Sequence, residues 1–275
     1  MESIPVRLDD GILLEVKRTG AGPVLIIQHG WTGSVLDWMG VMRALEKHLT
    51  VVSWDMRPYL AGDARIERMA RDLEGVMGAL AIECPLLLGH SMGALVSWDY
   101  IRQFGCDNLR GLVIVDQSPK VITDDTWSLG LYGKFTESDN AELIDRFARE
   151  FISTVLELVA SGKTLGEEEK QDILWDDAMV MRLERLKTLD VRFWLNAWRS
   201  FVVQDYRPVL SAISVPTLLL YGERSNFYGP RVARYVAEQI PDAVLKLYPG
   251  AGHSPHLDDP RQFVADLLAF SQALV

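Results

Sequence analysis

A chain of 275 residues, of which 48% are hydrophobic and 24% charged, has the composition of a folded globular protein, which excludes a disordered chain. The formal net charge of −10 argues against a nucleic-acid partner, because that binding depends on Lys and Arg that neutralise phosphates. No run of about 20 apolar residues predicts a membrane span, and residues 1–7 lack the basic and apolar stretch of a secretory signal, so we expect a cytoplasmic protein without a membrane partner.

The first half of the chain alternates strand-like and helix-like segments. Apolar runs predict strands at residues 12–16, 24–28, 50–54, 85–88 and 112–115. Helical spacing predicts helices at residues 64–80 and 93–104. Apolar strands that alternate with helices are typical of a mostly parallel sheet flanked by helices on both faces. The sequence therefore predicts an α/β fold.

The middle of the chain follows a different pattern. No clear strand is predicted from residue 119 to 214, and helical stretches cover residues 140–160 and 167–189. The alternation then returns, with strands at 217–221 and 244–248 and helices at 230–239 and 260–274. A helical block between two sheet segments predicts an inserted cap. We therefore divide the chain into an α/β core of residues 1–118 and 215–275 and a helical cap, or lid, of residues 119–214.

The segment Gly89-His90-Ser91-Met92-Gly93 lies between a predicted strand and a predicted helix. In that context a Gly-x-Ser-x-Gly pattern predicts a sharp turn that exposes the serine hydroxyl above the sheet. The two glycines permit the close approach of strand and helix that the turn requires. The alternative is a glycine-rich turn that only connects two elements. The motif predicts that Ser91 is a nucleophile.

A histidine-containing loop follows the last predicted strand, with the sequence Gly-Ala-Gly-His-Ser-Pro-His at residues 250–256. This loop should lie at the same sheet edge as Ser91. A histidine there can take the serine proton and return it to a leaving group. Of its two histidines, His253 is the predicted base, and His256 is predicted to be structural.

The segment His-Gly-Trp-Thr-Gly at residues 29–33 follows an early strand. Its turn can direct a backbone N–H at the reacting oxygen, and the first N–H groups of the helix after Ser91 can do the same. We predict that the backbone N–H groups of Trp31 and Met92 form an oxyanion hole. The alternative is an ordinary strand-to-loop turn.

These three motifs, in this order, resemble those of the α/β-hydrolase family, over residues from about 12 to 270. The predicted helical block corresponds to the cap of that family. Within the family the chain is most similar to the small capped esterases, lactonases and cofactor-free haloperoxidases. The resemblance implies a serine hydrolase with a Ser-His-acid triad.

The position of the acid departs from the family's usual pattern. Most members carry Asp in a Gly-x-x-Asp turn after the penultimate strand, where this chain has Ser225. A hydroxyl cannot stabilise an imidazolium as a carboxylate does. Asp116 ends an earlier strand, at a place where some members carry the acid, and is the predicted third member. Glu223 is the rival candidate, and a structural role for Asp116 is the other alternative.

Aromatic residues suggest an apolar substrate. Trp127, Trp175, Trp194 and Trp198 fall in the predicted lid, and the last two are four residues apart, so they share a helix face. We predict a substrate pocket lined by His29, His90, Trp127, Trp194 and Trp198. The alternative is that the rings only pack the lid onto the core.

Three functions are compatible with these residues. The first is hydrolysis of an ester, lactone or thioester of a small hydrophobic molecule. The second is cofactor-free dioxygenation of a hydroxy-oxo-quinoline-type ring, since the chain resembles those enzymes in its Gly30-Trp31 pair and in Asp116, although they usually carry His where this chain has Met92. The third is a non-catalytic ligand receptor. No metal or cofactor motif is present in the sequence, and the oligomeric state is left open.

Overall fold

A single sheet organises the part of the chain that the structure describes. The computed structural model describes residues 1–60, 62–160 and 177–274. Its strands are β1 (Glu2–Arg7), β2 (Leu13–Thr19), β3 (Val24–Gln28), β4 (Thr50–Ser53), β5 (Leu86–His90), β6 (Gly111–Val115), β7 (Thr217–Gly222) and β8 (Ala243–Tyr248). Their order is β1-β2-β4-β3-β5-β6-β7-β8. Strands β1 and β2 run antiparallel to their neighbours, and the pairs from β4 to β8 are parallel.

Helices flank this sheet and fill the segment between β6 and β7. They are α1 (Met39–Leu45), α2 (Ile66–Ala79), α3 (Met92–Phe104), α4 (Glu137–Arg149), α5 (Phe151–Ala160), α6 (Asp177–Lys187), α7 (Val191–Val202), α8 (Arg207–Leu210), α9 (Pro230–Gln239), α10 (Pro255–Asp258) and α11 (Pro260–Ala273). Short 3₁₀ helices span Val35–Trp38, Arg57–Tyr59 and Leu131–Gly133. Within the described residues, no helix combines the length and apolarity that a membrane crossing requires.

Burial explains the order of the strands. All five residues of β5 and of β6 are buried, as expected for central parallel strands covered on both faces. Residues of β8 alternate between exposed and partly buried, and most of β1 is exposed, as fits the two edges of the sheet. Helices α1 and α11 contribute to the core on one face, and α2, α3 and α9 contribute to the core on the other. The core therefore has the layered arrangement predicted for an α/β fold.

Most predicted elements are confirmed. The strand predicted at residues 24–28 and the helix predicted at 230–239 match β3 and α9. The edge strand β1 was not predicted, because it buries few residues and shows little apolar pattern. The helix predicted at 140–160 is two helices, which separate at Glu150, where φ is −146°. Of the helix predicted at 167–189, only α6 lies within the described residues.

The insertion between β6 and β7 is helical in its described parts, which are residues 119–160 and 177–214. Its two ends meet at the base of the insertion. The amide of Tyr206 donates a hydrogen bond to the carbonyl of Pro119 at 2.9 Å, and Lys120 forms a β-bridge with Asp205. The insertion therefore has a paired stem, and its role as a lid stays a prediction. The boundaries 118/119 and 214/215 stay predictions.

Candidate active site

Ser91 occupies a strained turn between β5 and α3. Its φ of 54° and ψ of −120° lie in a region that non-glycine residues rarely adopt. The flanking glycines make the turn possible. A Cβ on Gly89 would lie 2.4 Å from the carbonyl oxygen of Gly93, and a Cβ on Gly93 would lie 2.1 Å from that of Gln28. Ser91 is partly exposed, as the predicted exposure of its hydroxyl requires.

His253 and Asp116 form a hydrogen-bonded pair at the same edge of the sheet. Asp116 follows β6 and His253 follows β8, so both lie at the carboxyl ends of parallel strands, as Ser91 does. The distance from His253 Nδ1 to Asp116 Oδ1 is 2.8 Å, and Asp116 is fully buried. An ionised carboxylate only accepts hydrogen bonds, so in a neutral His253 ring the proton lies on Nδ1 and the lone pair on Nε2. That is the tautomer that a general base requires.

Two further donors hold the Asp116 carboxylate. The amide of Gly222 donates to Oδ2 at 3.0 Å, and the Ser225 hydroxyl donates to Oδ1 at 2.7 Å. Ser225, the position at which the resemblance implied an acid, lies in the turn after β7 and donates a hydrogen bond to Asp116. The rival candidate Glu223 is exposed. Among the described residues, the carboxylate that contacts His253 is that of Asp116.

Two other histidines lie near His253: the ring of His90 contacts that of His253, and the ring of His256 contacts that of His90. The Nε2–H of His90 donates to the backbone carbonyl of His253 at 2.9 Å, which ties the turn at Ser91 to the histidine loop. His90 is buried, and its predicted place in the pocket stays a prediction. The ring of His256 stacks on Trp38 at 4.0 Å, and burial lowers the pKa of His256 to about 3. This placement agrees with the structural role predicted for His256.

The turn from Gly30 to Gly33, here called the oxyanion turn, lies beside Ser91. A Cβ on Gly30 would lie 3.2 Å from the Cβ of Ser91. The turn closes through a hydrogen bond from the Gly33 amide to the Gly30 carbonyl at 3.0 Å. Because the Gly30–Trp31 peptide is planar, fixing its carbonyl also fixes the Trp31 N–H on the opposite side. The first N–H of α3, that of Met92, has no acceptor within the helix.

His29 holds the oxyanion turn from the core, and its predicted place in a substrate pocket stays a prediction. The Met56 amide donates to His29 Nε2 at 3.0 Å, which places the ring proton on Nδ1. Nδ1 then donates to the Gly30 carbonyl at 2.8 Å. The side chain is fully buried, which lowers the pKa of His29 and keeps the ring neutral. Both ring nitrogens are therefore committed to backbone groups.

Trp31 lies among aromatic residues of the insertion. Its ring is 6.2 Å from that of Trp194 and 5.0 Å from that of Trp198, and Phe147 and Phe151 complete the cluster. Its indole Nε1–H donates to the backbone carbonyl of Trp194 at 3.1 Å. Trp194 and Trp198 share one face of α7, as their spacing predicts. Both therefore cover the oxyanion turn.

The remaining lid tryptophans do not support the pocket prediction. Trp127 packs against Tyr235 at 4.7 Å and lies under the guanidinium of Arg207, and its Nε1–H donates to the Lys120 carbonyl. Lys120 and Arg207 lie at the stem of the insertion and Tyr235 lies on α9, and the pocket role of Trp127 stays a prediction. Trp175 lies outside the described residues.

Sequence reasoning missed the aromatic residues after β7. The ring of Phe227 lies 4.4 Å from the ring of His253, and Tyr132 stacks on Phe227 at 5.7 Å. The signal was available, because Phe227 follows a strand that ends at the active edge of the sheet. Near Asp116, burial raises the pKa values of Tyr221 and Tyr228, so these phenols stay neutral. No group of three or more His, Cys, Asp or Glu suited to a metal occurs in the described part of the chain.

Comparisons with known proteins bear on the fold. A family model described as alpha/beta hydrolase fold matches residues 23–260. The pimeloyl-[acyl-carrier protein] methyl ester esterase of Nitrosomonas europaea is 23% identical over 253 residues, which cover 92% of this chain and 97% of that protein. An esterase from Exiguobacterium antarcticum has a TM-score of 0.85 at 20% identity, covering 98% of this chain and 100% of its own. A bromoperoxidase from Bacillus anthracis has a TM-score of 0.86 at 18% identity, with the same coverage.

Proposed function

This chain belongs to the α/β-hydrolase fold family, and from that premise we propose that it is a serine hydrolase that cleaves an ester, lactone or thioester of a small hydrophobic molecule. Ser91 would be the nucleophile, His253 the base and Asp116 the acid that orients it. The similarity to esterases supports the reaction class. The residues are assigned from their geometry.

The hydrogen bond between His253 Nδ1 and Asp116 Oδ1 is the observation that carries the proposal. In a neutral His253 ring this bond puts the lone pair on Nε2, so the ring can accept the hydroxyl proton of Ser91 while the serine oxygen attacks the carbonyl carbon. The Trp31 and Met92 N–H groups then stabilise the oxyanion. When the tetrahedral intermediate collapses, His253 gives its proton to the leaving oxygen or sulfur. Water, deprotonated by the same ring, hydrolyses the acyl-enzyme and releases the acid.

An apolar acyl or alcohol group fits the surroundings of Ser91. Trp194 and Trp198 pack on the ring of Trp31 in the oxyanion turn, and the ring of Phe227 lies 4.4 Å from that of His253. Aromatic surface favours a ligand that loses apolar area to water on binding. The relative from Nitrosomonas europaea is named for a methyl ester, so methyl esters belong in the first substrate panel.

Covalent labelling tests the nucleophile and base together. We expect a fluorophosphonate to add once to the wild-type protein, at Ser91, and Ser91→Ala to abolish both labelling and hydrolysis of aryl esters while the thermal unfolding temperature stays within about 3 °C. Wild-type protein that neither reacts with the probe nor hydrolyses a panel of aryl esters, methyl esters, lactones and thioesters would refute the proposal. That result would instead favour the hypothesis that the protein is a non-catalytic ligand receptor.

A second candidate is cofactor-free dioxygenation, because the His253–Asp116 pair can deprotonate a hydroxyl group without help from Ser91. In that case Ser91 would position the substrate and would not attack it. Oxygen consumption with a hydroxy-oxo-quinoline separates the two functions. A Ser91→Ala variant that still consumes oxygen, from a wild-type protein that does not hydrolyse esters, would favour the dioxygenase.

A further inference from the structure

Arg185 connects the insertion to the oxyanion turn. It lies on α6, and its guanidinium donates to three residues of the core. Nη1 reaches Asp37 Oδ1 at 2.8 Å and Ser34 Oγ at 3.1 Å, and Nη2 reaches Asp37 Oδ2 and the Thr32 carbonyl, each at 3.2 Å. Its side chain is 16% exposed. A bidentate contact to the Asp37 carboxylate restricts the orientation of the guanidinium and therefore the positions of Ser34 and Thr32, which it also binds.

The backbone that Arg185 holds is strained. Thr32 has φ of 57°, a left-handed conformation that is unfavourable for a β-branched residue. It occupies the third position of the four-residue oxyanion turn, where such a φ usually requires Gly or Asn. A strained residue keeps its conformation only when its surroundings hold it there. The Thr32 carbonyl, which Arg185 binds, lies at this point of strain.

The oxyanion turn is held from two sides. On the core side, the His29 ring fixes the Gly30 carbonyl. On the insertion side, the Trp194 carbonyl holds the Trp31 indole and Arg185 holds the Thr32 carbonyl. The peptide that carries the Trp31 N–H therefore lies between a hydrogen bond from the core, made by His29, and hydrogen bonds from the insertion, made by Trp194 and Arg185.

We infer that Arg185 is a positioning residue that fixes the oxyanion turn, so that the insertion completes the oxyanion hole of the core. This inference rests on the proposed function. Without the guanidinium, Thr32 can relax toward negative φ and open the hydrogen bond from the Gly33 amide to the Gly30 carbonyl. The Gly30–Trp31 peptide then loses one of the hydrogen bonds that fix it, and the Trp31 N–H can tilt away from the reacting oxygen. That N–H binds charge that develops only in the transition state, so its misalignment lowers kcat more than it changes KM.

Arg185→Gln and Arg185→Lys separate positioning from simple attachment of the insertion. Lysine keeps the charge and can pair with Asp37, but it lacks the planar fork that reaches Ser34 and Thr32 at once. We expect kcat on an aryl ester to fall about 10- to 100-fold in both variants with KM within about twofold, because loss of one oxyanion donor costs about 10²- to 10³-fold. Free guanidinium ion at millimolar concentration should restore part of kcat in Arg185→Gln.

The matched control is Arg146→Gln. Arg146 forms an ion pair with Glu157 that joins α4 to α5 inside the insertion. This variant disturbs the insertion without touching the oxyanion turn, and we expect its kcat to stay within about twofold of the wild-type value. Thermal unfolding of all three variants, followed by circular dichroism, confirms that the proteins are folded.

Amide hydrogen exchange over residues 30–34 gives a readout that does not depend on activity. Faster exchange there in Arg185→Gln and Arg185→Lys, but not in Arg146→Gln, is expected. The inference is overturned if folded Arg185→Gln keeps kcat within twofold and its exchange is unchanged, if Arg185→Lys behaves as wild type, or if only KM rises. If the wild-type protein is inactive and does not react with the fluorophosphonate, the proposed function is contradicted but the positioning role of Arg185 is not. The comparison of amide exchange between Arg185→Gln and Arg146→Gln then tests that role.

Discussion

Asp116→Asn changes one atom of the carboxylate that organises the candidate site. The native carboxylate accepts from His253 and Ser225 at Oδ1 and from the Gly222 amide at Oδ2. Asparagine offers one oxygen that accepts and one NH₂ group that donates. The asparagine side chain therefore cannot accept hydrogen bonds from all three of these donors.

The amide introduced by Asp116→Asn has two possible orientations. One retains the His253 bond and places NH₂ against the Gly222 N–H, which leaves a buried backbone donor unpaired at a cost of about 1–3 kcal/mol. The other satisfies Gly222 and presents NH₂ to His253 Nδ1, which must then accept, so the ring proton moves to Nε2. A ring protonated at Nε2 cannot take a proton from Ser91. Because backbone pairing favours this second orientation, we expect kcat to fall by about 10³- to 10⁴-fold, or about 4–5.5 kcal/mol.

Steady-state hydrolysis of an aryl ester, with kcat and KM measured separately, checks this expectation. Glu223→Gln is the matched control, and its kcat should stay within about twofold of wild type because the side chain is exposed. A double variant, Asp116→Ser with Ser225→Asp, moves the carboxylate to position 225, where the resemblance implied an acid. Because Ser225 Oγ lies 2.7 Å from the native carboxylate, we expect this variant to be at least about tenfold faster than Asp116→Asn.

An Asp116→Asn variant that keeps more than about a tenth of the wild-type kcat would refute this role of Asp116, since correct proton placement on His253 would then not depend on a carboxylate. A larger loss in Glu223→Gln than in Asp116→Asn would refute it as well.

Two further variants test buried groups outside the proposed triad. Burial lowers the pKa of His256 to about 3 from 6.5, so its contribution to stability is complete above pH 6.5 and is lost as pH falls toward 3. His256→Phe keeps an aromatic ring against Trp38 but cannot take up a proton. As pH falls from 6.5 toward 3, its free energy of unfolding, measured by urea titration, should decrease less steeply than that of the wild type, by up to about 1.4 kcal/mol per pH unit. A slope equal to that of the wild type contradicts this prediction. Arg57, whose side chain is 0% exposed, pairs with Asp72, and Arg57→Met should lower the free energy of unfolding by about 3 kcal/mol. Urea unfolding measures this loss, and the double variant Arg57→Met with Asp72→Leu should recover part of it. A loss under about 1 kcal/mol in Arg57→Met would count against the prediction.

Local sequence was sufficient to predict the fold class and the turn at Ser91. Apolar runs and helical spacing are properties of neighbouring residues, and they located the parallel strands and the helices that cover them. The two glycines around Ser91 indicated a close strand-to-helix approach, which the structure confirms at Gly89 and Gly93. His253 was predicted in the same way, because a loop that follows a parallel strand lies at the shared edge of the sheet.

Tertiary structure decided which partners these residues have. Asp116 and His253 are 137 positions apart, and Arg185 is 153 positions from Thr32, so no local pattern relates them. The sequence left the acid open between Asp116 and Glu223, and it placed His29 in a pocket although both of its ring nitrogens bind backbone. Spacing along a chain determines which face of a strand or helix a residue occupies, whereas the order of the strands and the path of the insertion determine what that face meets.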